Sequence, residues 1–185
     1  MMKRIAIGLM VAGLWAWPNL SLAQMVNENI LADMPDGYKV ASQNRRNGIT
    51  QVEMIPRDQT LENWQDMFIV RIFHNSPMSL KAFELQTTRR WFAACAKAAY
   101  KPDQRGTENG YDFTFFFLRC PDIAASGEPM SRIVKIIRGQ DSLYLVQAVF
   151  KRDLTPEIVK DWTPFMTKIG VCDTRIEERA CPPGL

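Results

Sequence analysis

Tyr111-Asp112-Phe113-Thr114-Phe115-Phe116-Phe117-Leu118 decides the fold class. Tyr111, Phe113, Phe115 and Phe117 alternate with Asp112, Thr114, Phe116 and Leu118, and side chains two apart share one face of a strand. A β-strand is therefore predicted. Downstream, residues 133–138 and 143–151 flank Gly139-Gln140-Asp141 and predict a hairpin. Upstream, residues 37–46 and 49–55 flank Asn47-Gly48, a dipeptide suited to a type I′ turn because both central residues take positive φ. Pro56 ends that hairpin, and residues 60–64 read as a turn or as a short helix capped by Thr60. Residues 67–73 run apolar with Arg71 as the sole charge, the pattern of a central strand covered on both faces and the most buried of the sheet.

Two helices complete the pattern. Ser76-Pro77 offers an N-cap followed by proline at the first helical position, and the run to Ala99 contains no further Pro and no Gly. Its expected inner face carries Phe83, Thr87, Trp91, Ala94, Cys95 and Ala98. A polar, glycine-containing loop is expected between it and Tyr111. Thr155-Pro156-Glu157 starts the second helix, whose Ile158, Val159, Trp162, Phe165, Met166 and Ile169 form one stripe before Gly170. The order is hairpin, strand, helix, three strands, helix. It predicts an α+β fold: an antiparallel sheet of about five or six strands with two helices packed mainly on one face.

The N-terminus reads as an export signal. Lys3 and Arg4 precede an uncharged apolar run over residues 5–17, shorter than the ~20 residues of a spanning helix. Pro18 breaks that run, and Ser21-Leu22-Ala23 supplies the small residues of a cleavage site, placing the cut after Ala23. Residues 1–23 are thus the expected signal peptide and residues 24–185 a single soluble domain, with no stable membrane span after cleavage. Lys3 and Arg4 account for two of the three formal positive charges. No basic stripe remains to suggest a nucleic-acid partner.

Cys95, Cys120, Cys172 and Cys181 are an even set in an exported chain and read as disulfides. Three pairings are possible. Cys95 with Cys120 is preferred because one ends a helix and the other a strand, and Cys172 with Cys181 because it clips a short charged tail. No C-x-x-C spacing occurs and His74 is the single histidine, so neither a metal site nor a cofactor is expected.

The candidate catalytic groups are few. His74 ends the apolar strand, where a functional side chain emerges from a rigid scaffold, yet no G-x-S-x-G or comparable nucleophile motif accompanies it. Glu62 and Asp66, four apart, would share a helical face and suit paired-carboxylate acid/base work. Arg45-Arg46, and Arg89-Arg90 with Lys97, are possible anion contacts or solvated surface. The aromatic set of Trp91, Phe113, Phe115, Phe117, Phe150 and Trp162 would line a lipophilic pocket or form the core.

One stretch carries a resemblance. Pro56, Thr60, Trp64 and Met67 form a P-x-x-x-T-x-x-x-W-x-x-M block leading into a strand, followed late in the chain by Cys172-Asp173-Thr174-Arg175. This resembles small uncharacterised exported proteins of proteobacteria, a resemblance that implies no catalytic residues. The element order also looks loosely like the Mog1/PsbP type of α+β sandwich, an analogy of fold. The expected function is a noncatalytic periplasmic binding or envelope-accessory protein, with an envelope protein or small apolar ligand as partner. The alternatives are a carboxylate-based envelope hydrolase and a component of a secretion or conjugation assembly.

Overall fold

The computed structural model describes residues 27–182. The expected signal peptide and its cleavage point lie outside the described residues. Nine strands and two α-helices follow in order: β1 (Glu28–Leu31), β2 (Tyr38–Arg46), β3 (Ile49–Pro56), β4 (Asp66–His74), α1 (Leu80–Ala94), β5 (Ala99–Glu108), β6 (Tyr111–Cys120), β7 (Met130–Arg138), β8 (Ser142–Phe150), α2 (Pro156–Lys168) and β9 (Gly170–Asp173). Seven strands make one antiparallel sheet in the order β2-β3-β4-β8-β7-β6-β5, so the α+β class holds with more strands than the five or six expected. Asn47 and Gly48 take φ of 51° and 73° in the β2–β3 turn, as the dipeptide requires.

The additional strand is β5, expected as a loop. It is an edge strand, nearly all exposed, with a register shift between Pro102 and Gln104. A strand with no buried face carries no apolar alternation, and a proline at a bulge is typical of an edge. β1 and β9 pair into a separate two-stranded sheet, tying the segment before the first hairpin to the tail.

The helices lie on opposite faces of the sheet, which overturns the expectation that they share one. Phe113, Phe115 and Phe117 of β6 pack in one cluster with Trp162, Phe165 and Met166 of α2. Phe116 and Leu118 pack in another with Phe83 and Trp91 of α1. β6, β7 and β8 are apolar on both faces, so each face needs a cover, at roughly 1.5–3 kcal/mol per large apolar side chain buried. β8 is buried at all nine positions and displaces β4 as the most buried strand.

α1 begins later than Ser76-Pro77 suggests. Ser79 caps it, accepting the Ala82 N–H at 3.2 Å. It ends at Ala94 because Cys95 turns extended and bonds Cys120, after which the chain enters β5. Ala98 therefore lies outside the helix. α2 starts as expected, with Thr155 accepting the Ile158 N–H at 3.3 Å. Cys172 bonds Cys181, so both expected pairings are present.

Candidate functional site

The three candidate catalytic residues do not converge. Asp66 opens β4 and is ion-paired with Arg152. His74 closes the same strand, eight residues on and so roughly 26 Å away. There its Nε2 shares a 2.8 Å hydrogen bond with the Thr50 hydroxyl. Burial, and then the charge of Arg45, hold its pKa below the ordinary imidazole value. Glu62 is exposed in the turn before β4, its carboxyl held below the usual range by a hydrogen bond from Thr60. The aromatic set is core: Trp162 meets Phe150 at 5.6 Å and Phe68 at 6.1 Å between ring centroids, while Trp91 lies across the sheet.

A different set of residues does converge, on the α1 face. α1 packs over β6 and β7, and its Phe83 reaches Phe73 of β4 at 4.9 Å between ring centroids. Between the helix and the turn carrying Trp64 run two adjoining hollows of about 280 and 380 Å³, which share Arg71, Met130, Arg132 and Gln147. The antiparallel register explains the meeting. Arg71 of β4 pairs with Leu145 of β8, Val134 of β7 with Gln147 of β8, and Arg132 of β7 with Val149 of β8. The three polar side chains therefore stand diagonally across neighbouring strands of one face, separations that long side chains bridge.

The electrostatics of this floor are unusual for the molecule. Arg132 lies with its guanidinium 4.8 Å from the Trp91 ring centroid. Its Nε is buried with no hydrogen-bond partner, and one terminal nitrogen reaches only the Met130 sulfur at 3.9 Å. Burial, reinforced by repulsion from Arg71, pushes its pKa down to about 10. Arg71 donates from Nε to Gln51 Oε1 at 2.5 Å, and Gln51 Nε2 in turn donates to Glu53 at 2.7 Å. Burial lowers the Arg71 pKa and Glu53 partly restores it. Gln147 is 1% exposed, and its Oε1 is buried without a partner. Among the described residues no carboxylate forms an ion pair with either arginine.

Other buried charges among the described residues are matched. Lys135, fully buried, donates to Glu108 at 2.6 Å and to the carbonyls of Thr167 and Ile169 at 3.0 and 2.7 Å. Glu84 accepts from Arg105 at 2.6 Å and from the Tyr100 hydroxyl at 2.5 Å. An unpaired buried donor costs about 1–3 kcal/mol. Two guanidinium groups held close on a desolvated floor add repulsion to that cost.

No family model and no curated protein sequence matches the chain. Among solved structures it is similar to the Ran-binding protein Mog1p of Saccharomyces cerevisiae, at 13% identity over 76% of this chain and 85% of that one, with a TM-score of 0.44. It is similar to the cyanobacterial PsbP of Synechocystis sp. PCC 6803 at 12% identity over 80% and 95% of the two chains, also with a TM-score of 0.44. These figures describe a loose likeness of fold. The motif-level resemblance to exported proteobacterial proteins rests on the sequence alone.

The two halves of that motif have local structural roles. Gln59 Oε1 accepts the Gln65 N–H at 2.7 Å, and Asn63 Oδ1 accepts the Thr60 N–H at 2.8 Å, which folds the turn and sets Trp64 against Met67, Ile69 and Val149 as the outer wall of the groove. Lys151 lies over the Trp64 ring at 4.6 Å. In the late segment, buried Asp173 accepts from Arg175 at 2.9 and 2.6 Å beside the Cys172–Cys181 bridge.

A separate hollow, of about 450 Å³, lies between β6 and the start of α2, against Phe117, Leu154 and Val159. Its cations are the exposed Lys101 and Lys160, and Arg119, which pairs with Asp153 at 3.3 Å. No unpaired buried group of the described residues lines it.

Proposed function

We propose that this is a noncatalytic binding protein of the bacterial periplasm or envelope, and that its ligand is an anion held in the groove over Arg71 and Arg132. The observation that carries the reading is Arg132: a buried guanidinium with an unpaired Nε, no carboxylate partner and a like charge beside it. Such an arrangement lowers stability unless something else supplies the counter-charge, and unsatisfied groups of this kind mark functional sites. Two disulfides suit an oxidising compartment, and no helix of the described residues is long and apolar enough to cross a membrane.

The carboxylate-hydrolase alternative is weakened by the separation of Asp66 from His74 and by the Asp66–Arg152 pair. Assembly by strand addition at β5 is disfavoured by the bulge and by Pro102, which has no N–H to offer. Native mass spectrometry of protein purified from periplasm without denaturation tests the reading. The wild type is expected to carry or take up an acidic small molecule or peptide and release it unchanged, whereas Arg132→Met does not bind it. Turnover of a substrate that is lost on His74→Ala or Glu62→Gln would overturn the noncatalytic reading.

A further inference from the structure

Net charge and wall chemistry narrow the ligand class, and this inference rests on the groove reading above. The floor presents two guanidinium groups, Arg71 and Arg132. One is already partly compensated, because Arg71 is bonded to Gln51, which holds the Glu53 carboxylate close by. On the floor itself that leaves a surplus of about one positive charge, centred on Arg132; the exposed Arg90 of α1 adds a solvated charge at the rim. Nearest the floor the walls are apolar or aromatic, while Gln86, Thr87 and Arg90 of α1 line the rim. Met67, Ile69 and Val149 are buried beneath Trp64 on one side, and Phe83 and Trp91 of α1 stand on the other. The two hollows together have the capacity of small-ligand sites, which run from about 300 to 1,000 Å³.

A doubly charged headgroup seated on the floor would bring one negative charge more than the floor compensates, with only the solvated Arg90 at the rim to meet it. Burying a charge away from a partner is strongly unfavourable. A planar monoanion with two acceptor oxygens, by contrast, matches the forked donors of a guanidinium. From this charge balance and wall chemistry we infer that the groove binds an apolar monocarboxylate, with its carboxylate on Arg132 and Arg71 and its hydrophobic body between Trp64 and α1. The carboxylate takes the place of the missing acid partner. The same chemistry is offered by a small lipophilic acid and by the free carboxyl end of a peptide with an apolar last residue.

Isothermal titration of the mature, disulfide-bonded protein distinguishes these sources. The probes are 3-phenylpropanoate and its amide, acetyl-Ala-Ala-Phe with a free and with an amidated carboxyl end, and inorganic phosphate. At least one carboxylate is expected to bind, with its amide at least tenfold weaker and phosphate not competing. Binding is expected to be lost in Arg132→Met and weakened at least tenfold in Arg71→Met. The tighter of the two carboxylates identifies the source. Equal binding of acid and amide, or displacement of the carboxylate by phosphate, would overturn the monocarboxylate inference while leaving an occupied groove. Failure of every probe, together with a different anion found on the natively purified protein, would overturn the inference but not the groove reading. Failure of every probe with no anion recovered would overturn both. Circular dichroism of both variants confirms that a lost titration is not lost folding.

Discussion

Replacing Arg132 with methionine should make the unliganded protein more stable, because the native residue is retained there at a cost. Arg132 is pushed down to about 10 from the ordinary guanidinium range, and at about 1.4 kcal/mol per pK that is roughly 3 kcal/mol of unfavourable burial. Removing the guanidinium forfeits its stacking on Trp91, which contributes on the order of 1 kcal/mol. Methionine keeps most of the aliphatic stem's packing and leaves no donor unpaired. The net gain is about 1–2 kcal/mol, which raises Tm by about 3–6 °C for a domain of this size. Urea titration followed by tryptophan fluorescence, with an unchanged m-value, measures the difference. A loss of stability of 1 kcal/mol or more in Arg132→Met, with the fold intact, would show that Arg132 is a structural residue and remove the main support for the groove.

Glu28 is the opposite case. Its carboxylate accepts the N–H groups of Gln140, Asp141 and Ser142 and the Tyr144 hydroxyl, and Gly139 lies so close that a Cβ there would collide with it. Glu28→Gln should cost about 2 kcal/mol, since bonds to a charged acceptor contribute about 1.5–3 kcal/mol each and an amide replaces only some of them; an unchanged urea midpoint would refute this. On the loop-entropy model, removing the Cys95–Cys120 bridge should cost about 3.5 kcal/mol and removing Cys172–Cys181 about 2.5 kcal/mol. Paired alanine variants measured in urea would contradict that ranking if the shorter loop proved the more stabilising. His74 is held below its ordinary value, so on acidification the unfolded chain takes up its proton first. Its contribution is complete above about pH 6.5 and falls as pH drops from there through the folded value. His74→Gln should flatten that part of the stability–pH curve, and a slope identical to wild type would rule the histidine out as its source.

Much of the scaffold was legible because strong periodicity and turn chemistry report local structure. The Asn47-Gly48 hairpin, β6, the β7–β8 hairpin, α2 and both disulfide pairings were all readable in this way. β5 was not, because an exposed edge strand has no buried face to imprint a pattern. Nor were β1 and β9, whose pairing joins the two ends of the described chain. The placement of the helices was misread although Phe116 and Leu118 carried the signal: a strand apolar at both odd and even positions needs cover on both sides. The groove shows a different limit. Arg71 stood out in the sequence as the sole charge of an apolar run, but Arg132 and Gln147 gain meaning only through the β4–β8–β7 register, which no single strand encodes. Glu62, Asp66 and His74 drew attention by residue type, and strand length alone holds Asp66 and His74 apart.

The central claim is that the ligand sits over Arg71 and Arg132 on the α1 face, and the three indoles of residues 24–185 report on it directly. Trp64 and Trp91 border the groove, whereas Trp162 of α2 packs against the opposite face of the sheet. In a ¹H–¹⁵N correlation titration with 3-phenylpropanoate and acetyl-Ala-Ala-Phe, the account predicts that the indole signals of Trp64 and Trp91 and the Nε–H signals of Arg71 and Arg132 move together while Trp162 stays fixed. Shifts confined to Lys101, Val159 and Trp162, with the arginine and groove signals unmoved, would place the binding site beside α2 and contradict it.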